Sequence, residues 1–352
     1  MLTRMATETR DMLKPLDPAA GHRSAVPEQD RQDDLRRILA ASAHADPKRH
    51  ASRAARPRTT GRRLAWGSGA AAVVAGAVVA TLTLGGSPSL AYEATPAPLV
   101  ITLTSDARPA GEVLREIAGR AEKLPATTGA YQHLVTESWS LWTRIDDERV
   151  VSAVVPARQE SWRGDDGSGK VVVASGEPYF PSAEHREAWE DDGSFGDGDK
   201  PQAETFGAGQ FPAMWKDAPP ADPAKLADWL AIAHPRENGP AETIVAVTDL
   251  ARERVLDPAL RAGVLRVLAT LPGMTHEGAV VDRMGRHGEA FVLVSDFSGL
   301  PTHYTLVVDP RTGELLGYEK ELRTEAGKLD VKLPAVIGYD LFVAAGRTSQ
   351  PG

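Results

Sequence analysis

The strongest constraint on this chain is a stretch with no charge. Between Arg63 and Glu93 there is no charged side chain, and within that gap residues 64–85 read LAWGSGAAAVVAGAVVATLTLG. As an α-helix these 22 residues measure about 33 Å, against a hydrocarbon core of about 30 Å. A helix satisfies its own backbone hydrogen bonds in lipid, so an uncharged run of this length can span. The expected transmembrane helix includes Leu64, Trp66, Gly69, Gly76, Ala80 and Leu84. Trp66 and Tyr92 stand where interfacial aromatics belong on the two sides. Ala72, Gly76 and Ala80 put small residues at every fourth position, a face on which two such helices can pack closely; an Ala-rich helix also gives that spacing by chance.

Charge divides at the same place. Up to Arg63 there are 14 Lys and Arg against 8 Asp and Glu, a balance of +6; the rest has 26 against 40, a balance of −14. Lys48, Arg49, Arg53, Arg56, Arg58, Arg62 and Arg63 follow one another with no acid among them. The positive-inside rule then places the N-terminus in the cytoplasm and the acidic body outside the cell membrane. A cleaved signal peptide is the competing reading, since Ser89-Leu90-Ala91 has the small-x-small form of a cleavage site. The long leader and the length of the apolar stretch weigh against it, and cleavage after Ala91 stays open.

Residues 1–63 form a cytoplasmic head with no aromatic residue, too little for an ordinary domain. One amphipathic helix is expected over residues 29–45, with Leu35, Ile38 and Leu39 on one face and Asp30, Asp33 and Asp34 near its positive N-terminal end. A helix that cannot bury its apolar stripe at home is often an interaction element, so Leu35, Ile38 and Leu39 are the candidates for a cytoplasmic partner. The plainer reading is a juxtamembrane arm whose basic run, Lys48 to Arg63, lies on anionic lipid. No aromatic interleaving or recognition-helix pattern supports a nucleic-acid partner.

After a stalk over residues 86–98, residues 99–352 are long enough for one large domain. The expected order is a short strand at 100–104, a helix at 108–124, then strands at 131–143, 149–163 and 170–174 joined by turns. On the first long strand Tyr131, His133, Val135, Trp139 and Leu141 share one face. Residues 175–220, rich in Gly, Pro and Asp with scattered aromatics, read as a long, partly packed loop. In the helical block at 222–271, Asp222-Pro223, Gly239-Pro240 and Asp257-Pro258 each set Pro in a first turn after a capping-type residue. Strands at 279–283, 290–296, 303–309 and 315–323 follow, with a last, edge-like strand at 334–343. The fold class is therefore α+β: one transmembrane helix, then an extracytoplasmic domain of antiparallel strands with a helical insertion.

The chemistry-bearing residues are sparse. There is no cysteine, which removes disulfides, thiolate nucleophiles and Cys-ligated metal sites. The nine histidines are scattered singly, and no HExxH, Walker, GxSxG or dinucleotide motif occurs. Asp165–Lys170 reads as a hairpin turn, not a phosphate loop, and Asp296–Gly299 as another turn. Asp191, Asp192, Asp197 and Asp199 offer oxygen ligands but lack the order of a Ca²⁺ loop; a solvated acidic loop is the better reading. His133 reads as a satisfied core residue. No cofactor, metal or catalytic set is expected, and the chain reads as a non-enzyme.

The ordered parts resemble a family of actinobacterial single-pass membrane proteins, with a short head and an outer domain, often encoded beside extracytoplasmic-function sigma factors. The resemblance rests on the spanning segment after Arg62-Arg63, the helical block ending Val267-Leu268-Ala269-Thr270-Leu271-Pro272-Gly273, and the closing hairpin Val307-Val308-Asp309-Pro310-Arg311-Thr312-Gly313-Glu314-Leu315-Leu316-Gly317. That hairpin is also similar to those of PepSY-like and lipoprotein-carrier-like sheets. The resemblance implies an anti-sigma-type regulator sensing the envelope, with a sigma factor as cytoplasmic partner; it supplies no site residues, and the His/Cys motif of zinc-containing anti-sigma domains is missing. The alternative is a membrane-tethered module without a regulatory role, binding an apolar or cell-envelope ligand against Trp139, Trp142 and Trp162.

Overall fold

A computed structural model of the chain describes residues 95–103, 108–146, 149–180, 182–191, 201–329 and 331–352. The head with Leu35, Ile38 and Leu39, and the segment 64–85 with Leu64, Trp66, Gly69, Gly76, Ala80 and Leu84, lie outside the described residues. Among the described residues no helix is long and apolar enough to cross a membrane.

The domain is α+β and mainly antiparallel sheet. In chain order it runs β1 (Ile101–Leu103), α1 (Ala110–Ala121), β2 (Tyr131–Asp146), β3 (Arg149–Gly164), β4 (Gly169–Ser175), α2 (Ala183–Asp191) and β5 (Gln202–Phe206). Helices α3 (Pro223–Leu230), α4 (Pro240–Glu253) and α5 (Pro258–Leu268) follow, then β6 (Thr275–Val281), β7 (His287–Ser295), β8 (Thr302–Val308), β9 (Leu315–Leu322) and β10 (Ala335–Thr348). The strands form one ten-stranded sheet in the order β1-β6-β7-β8-β9-β10-β2-β3-β4-β5, antiparallel at every described pairing. Two antiparallel meanders, β2–β5 (with α2 between β4 and β5) and β6–β10, are thus joined by the pair β10–β2.

Two expectations change here. The last strand is longer than expected and sits inside the sheet, not at its edge, because β10 pairs with β9 on one side and β2 on the other. Register shifts between Val336 and Gly338 and between Phe342 and Ala344 break its alternation, and a broken period hides a central strand. Residues 175–220 include α2 and β5 rather than loop alone.

Local chemistry sets the element ends as the sequence suggests. The Asp222 carboxylate caps α3 by accepting from Lys225 N–H, and Asp257 caps α5 through Leu260 N–H; Pro follows directly in each, where a missing N–H costs nothing. In the β8–β9 turn Asp309 Oδ1 accepts from Arg311 N–H, and Gly313 takes φ 72°, a conformation that glycine adopts without Cβ strain.

Apolar stripes at helical spacing build the main core. Leu114 and Ile117 of α1, Leu226 and Leu230 of α3, Ile244 and Leu250 of α4, and Leu265 and Leu268 of α5 are fully buried. They pack against Phe291, Leu293, Tyr304, Leu306 and Tyr318 on one face of β7–β9. The opposite face is covered more thinly. Val280, Ala290, Val307 and Leu316 meet Leu99 and Ile101 there, and Trp139, Val154, Leu322 and Ala335 meet Leu329, Val331 and Leu333.

Candidate functional site

Helix α4 carries two charged clusters into the junction between the helices and the sheet. The first lies along its length. Asp249 is 3% exposed and accepts from Arg252 Nη1 at 3.0 Å, while Arg252 also pairs with Asp340 of β10. His234 Nδ1 lies 2.7 Å from Glu242 Oε1, and its Nε2 3.3 Å from Asp249 Oδ2. Asn238 Nδ2 donates to the second Glu242 oxygen. Burial by itself pushes His234 down, but the hydrogen bonds and charges of Asp249 and Glu242 outweigh it and leave its pKa raised. Lys320 faces the same cluster; burial lowers its pKa, opposed by Asp340 and Asp249. The Tyr318 hydroxyl, buried without a hydrogen-bond partner, is pushed well up by desolvation.

The second cluster lies at the C-terminal end of α4, where the sheet opens. Pairing between β9 and β10 ends at Gly317↔Leu341, yet β10 continues to Thr348 paired with β2 alone. The extra residue between Phe342 and Ala344 sits at this opening. A cavity of about 80 Å³ occupies it, lined by Arg254, Leu256, Arg261, Arg286, Glu314 and Phe342 among others. Arg254 follows α4 in extended conformation and Arg261 lies in the first turns of α5. Arg286 comes from the β6–β7 turn and donates to the carbonyls of Phe342 and Leu316, each at 2.7 Å.

These guanidiniums are short of counter-charge. Arg163 and Arg254 share one carboxylate, Glu253; Arg286 pairs with Asp282; Arg261 reaches Glu314 at 3.2 Å, and the Glu314 side chain is 46% exposed. Within ion-pair distance four cations therefore meet three anions, one of them half in water, while Asp257 and Asp309 act on Arg261 from farther off. Arg261 otherwise donates to the backbone carbonyls of Thr312 and Leu256, and Arg254 to that of Trp215. Burial lowers the pKa of both, with Arg163 adding to the effect at Arg254. Both still remain cations at any physiological pH. Buried cations not fully neutralised, beside open strand backbone, make a place for an anion.

The three tryptophans singled out in the sequence are not brought together. Trp139 pairs with Pro156, Trp142 with Ala153 and Trp162 with His133, in unbroken β2–β3 register. Strand alternation puts Trp142 on the helix side and the other two on the opposite face. Trp142 meets the edge of Trp189 in α2 at 4.8 Å. Trp139 is buried and stacks on Tyr339 at 6.0 Å. Trp162 stacks on His133 at 5.0 Å with Lys170 over its ring; six residues of strand separate it from Trp139, about 20 Å. His133 bonds Glu160 at 2.7 Å. Asp191 is exposed, whereas Asp192, Asp197 and Asp199 lie outside the described residues. Among the described residues no group of three or more His, Asp or Glu side chains is arranged to hold a metal ion.

Neither charged cluster was singled out from sequence. The nearest signal is the crowding of Arg252, Arg254 and Arg261 around the Asp257-Pro258 cap, dense charge in a block otherwise apolar. Comparison of the chain with protein-family models, curated proteins and solved structures found no match.

Proposed function

We propose that this chain is a single-pass membrane regulator. Residues 64–85 cross the bilayer, the α+β body binds an envelope ligand outside, and the head carries the regulatory contact inside, in the manner of an anti-sigma factor. The observation that supports a binding role for the body best is the arginine-lined cavity. It is concave, and it joins α4 and α5 to the splayed strands. The sign change of charge at Arg63 supports the topology, and the Leu35, Ile38 and Leu39 stripe supports a cytoplasmic partner.

The competing reading, a tethered binding module with an inert head, shares the outer site and differs only inside. Purification of the full chain from its own membranes separates the two. Co-purification of a sigma factor, lost on replacing Leu35, Ile38 and Leu39 with Ser, is the expected result. A clean purification that recovers no sigma factor leaves the tethered module as the better description.

A further inference from the structure

We infer that the opening between β9 and β10 is a binding site for a single oxyanion group, a carboxylate or a phosphate, and that Glu314 occupies it as a built-in competitor. This rests on the binding role proposed for the body and names the chemistry of its ligand.

Three features at one place carry the inference. Cations come from separate elements: Arg254 and Arg261 from the helical layer, and Arg286 from the β6–β7 turn. All three nitrogens of Arg286 are engaged, Nε and Nη2 on Asp282, Nη2 also on Leu316 O and Nη1 on Phe342 O, so it fixes the floor of the site. Arg254 uses Nε on Glu253 and Nη2 on Trp215 O; Arg261 uses Nη1 and Nη2 on backbone carbonyls. Arg254 Nη1 and Arg261 Nε make no hydrogen bond among the described residues. The two guanidiniums, held in place by their other bonds, leave one nitrogen each, Arg254 Nη1 and Arg261 Nε, to donate to an anion.

Strand β10 past Leu341 adds backbone without a β9 partner, with Ala344 and Ala345 exposed. A ligand that lies along this edge can use main-chain bonds as well as the arginines. Size sets the third limit. A cavity of about 80 Å³ has room for an anionic group and a few waters, so most of a larger ligand must lie outside, over the exposed alanines.

Glu314 is the acid that lines the opening. Its side chain touches the fold through Arg261 at 3.2 Å, whereas Glu253 and Asp282 stand behind the arginines and hold them in place. An incoming anion therefore competes with Glu314 for Arg261, and removing that carboxylate frees the site.

The test is calorimetric titration of the full chain in lipid nanodiscs with three probes. They are inorganic phosphate, N-acetyl-Ala-Ala with its free carboxylate, and the same dipeptide as its amide. Saturable binding of phosphate or of the carboxylate, with none of the amide, is expected, and the tighter of the two identifies the source of the group. Arg261→Lys, which keeps the charge but loses the Nε donor, should weaken that binding about tenfold. Glu314→Gln, a change at a half-exposed turn side chain that leaves the fold intact, should strengthen it several-fold. Absence of binding by both anions, binding unaffected by Arg261→Lys, or no gain from Glu314→Gln would each overturn the assignment. None of these results touches the membrane topology or the capture of a partner by the head, so the two proposals fail separately.

Discussion

The two charged clusters on α4 use the same residue types to opposite ends. Around Asp249, the cations Arg252, Lys320 and His234 face the acids Asp249, Asp340 and Glu242, three against three when His234 is protonated. That balance is what a buried ionic network needs, since each charge removed from water must be met by another. At the other end of the same helix, four guanidiniums share three carboxylates beside a cavity and an unpaired strand edge. A closed account of charge fastens helix to sheet; an open one leaves something for a ligand to complete.

Substitutions should separate the clusters by which property they move. The largest loss of stability is expected in the balanced cluster. Asp340→Ala leaves Arg252 and Lys320 with Asp249 as their one remaining shared anion and should cost about 3–5 kcal/mol, read by guanidinium unfolding of the full chain in detergent. A loss under about 1 kcal/mol would mean that water reaches these groups and the network is not closed. Asp257→Ala removes the cap of the helix that carries Arg261 and should cost about 1 kcal/mol, with anion binding weakened as that helix start frays.

A smaller effect is expected from pH. The folded-state pKa of His234 is raised, so the stability that its protonated ring contributes is complete below its unfolded value, about 6.5. It is lost as pH rises through the higher folded value. Melting of the wild type followed from pH 6 upward should show that decline, and His234→Gln should flatten it; equal slopes in both would remove the histidine from the network. Smallest of all should be the stability change in Glu314→Gln, within about 0.5 kcal/mol, although the same substitution has the clearest effect on anion affinity.

The sequence discloses elements better than it discloses sites, and the reason is physical. Leu226/Trp229/Leu230 and Ile244/Val247/Leu250 announce buried helix faces because burial repeats with the backbone period. Asp222-Pro223 and Asp257-Pro258 mark helix starts because capping is a local interaction. Strand β10 was placed at an edge because its bulges break the alternation that marks a strand. Helix α2 stayed hidden in AEHREAWED, where only Ala188 and Trp189 are buried, too few to show a period. The clusters are further removed still: Arg254, Arg286 and Glu314 are distant in sequence and meet only after the sheet has formed. Trp139, Trp142 and Trp162 stand apart for simpler causes: an odd step along β2 turns Trp142 to the other face from Trp139, and Trp162 lies six residues of strand away.

The envelope-sensing role proposed for the body presumes that the acidic body faces the envelope. Because the chain has no cysteine, single-cysteine variants report position without background. Ser349→Cys, at an exposed position near the C-terminus, should react with a membrane-impermeant maleimide on intact cells, and Ser24→Cys in the head only after lysis. Labelling of Ser24→Cys from outside, with Ser349→Cys protected until lysis, would contradict the topology and the outer binding role built on it.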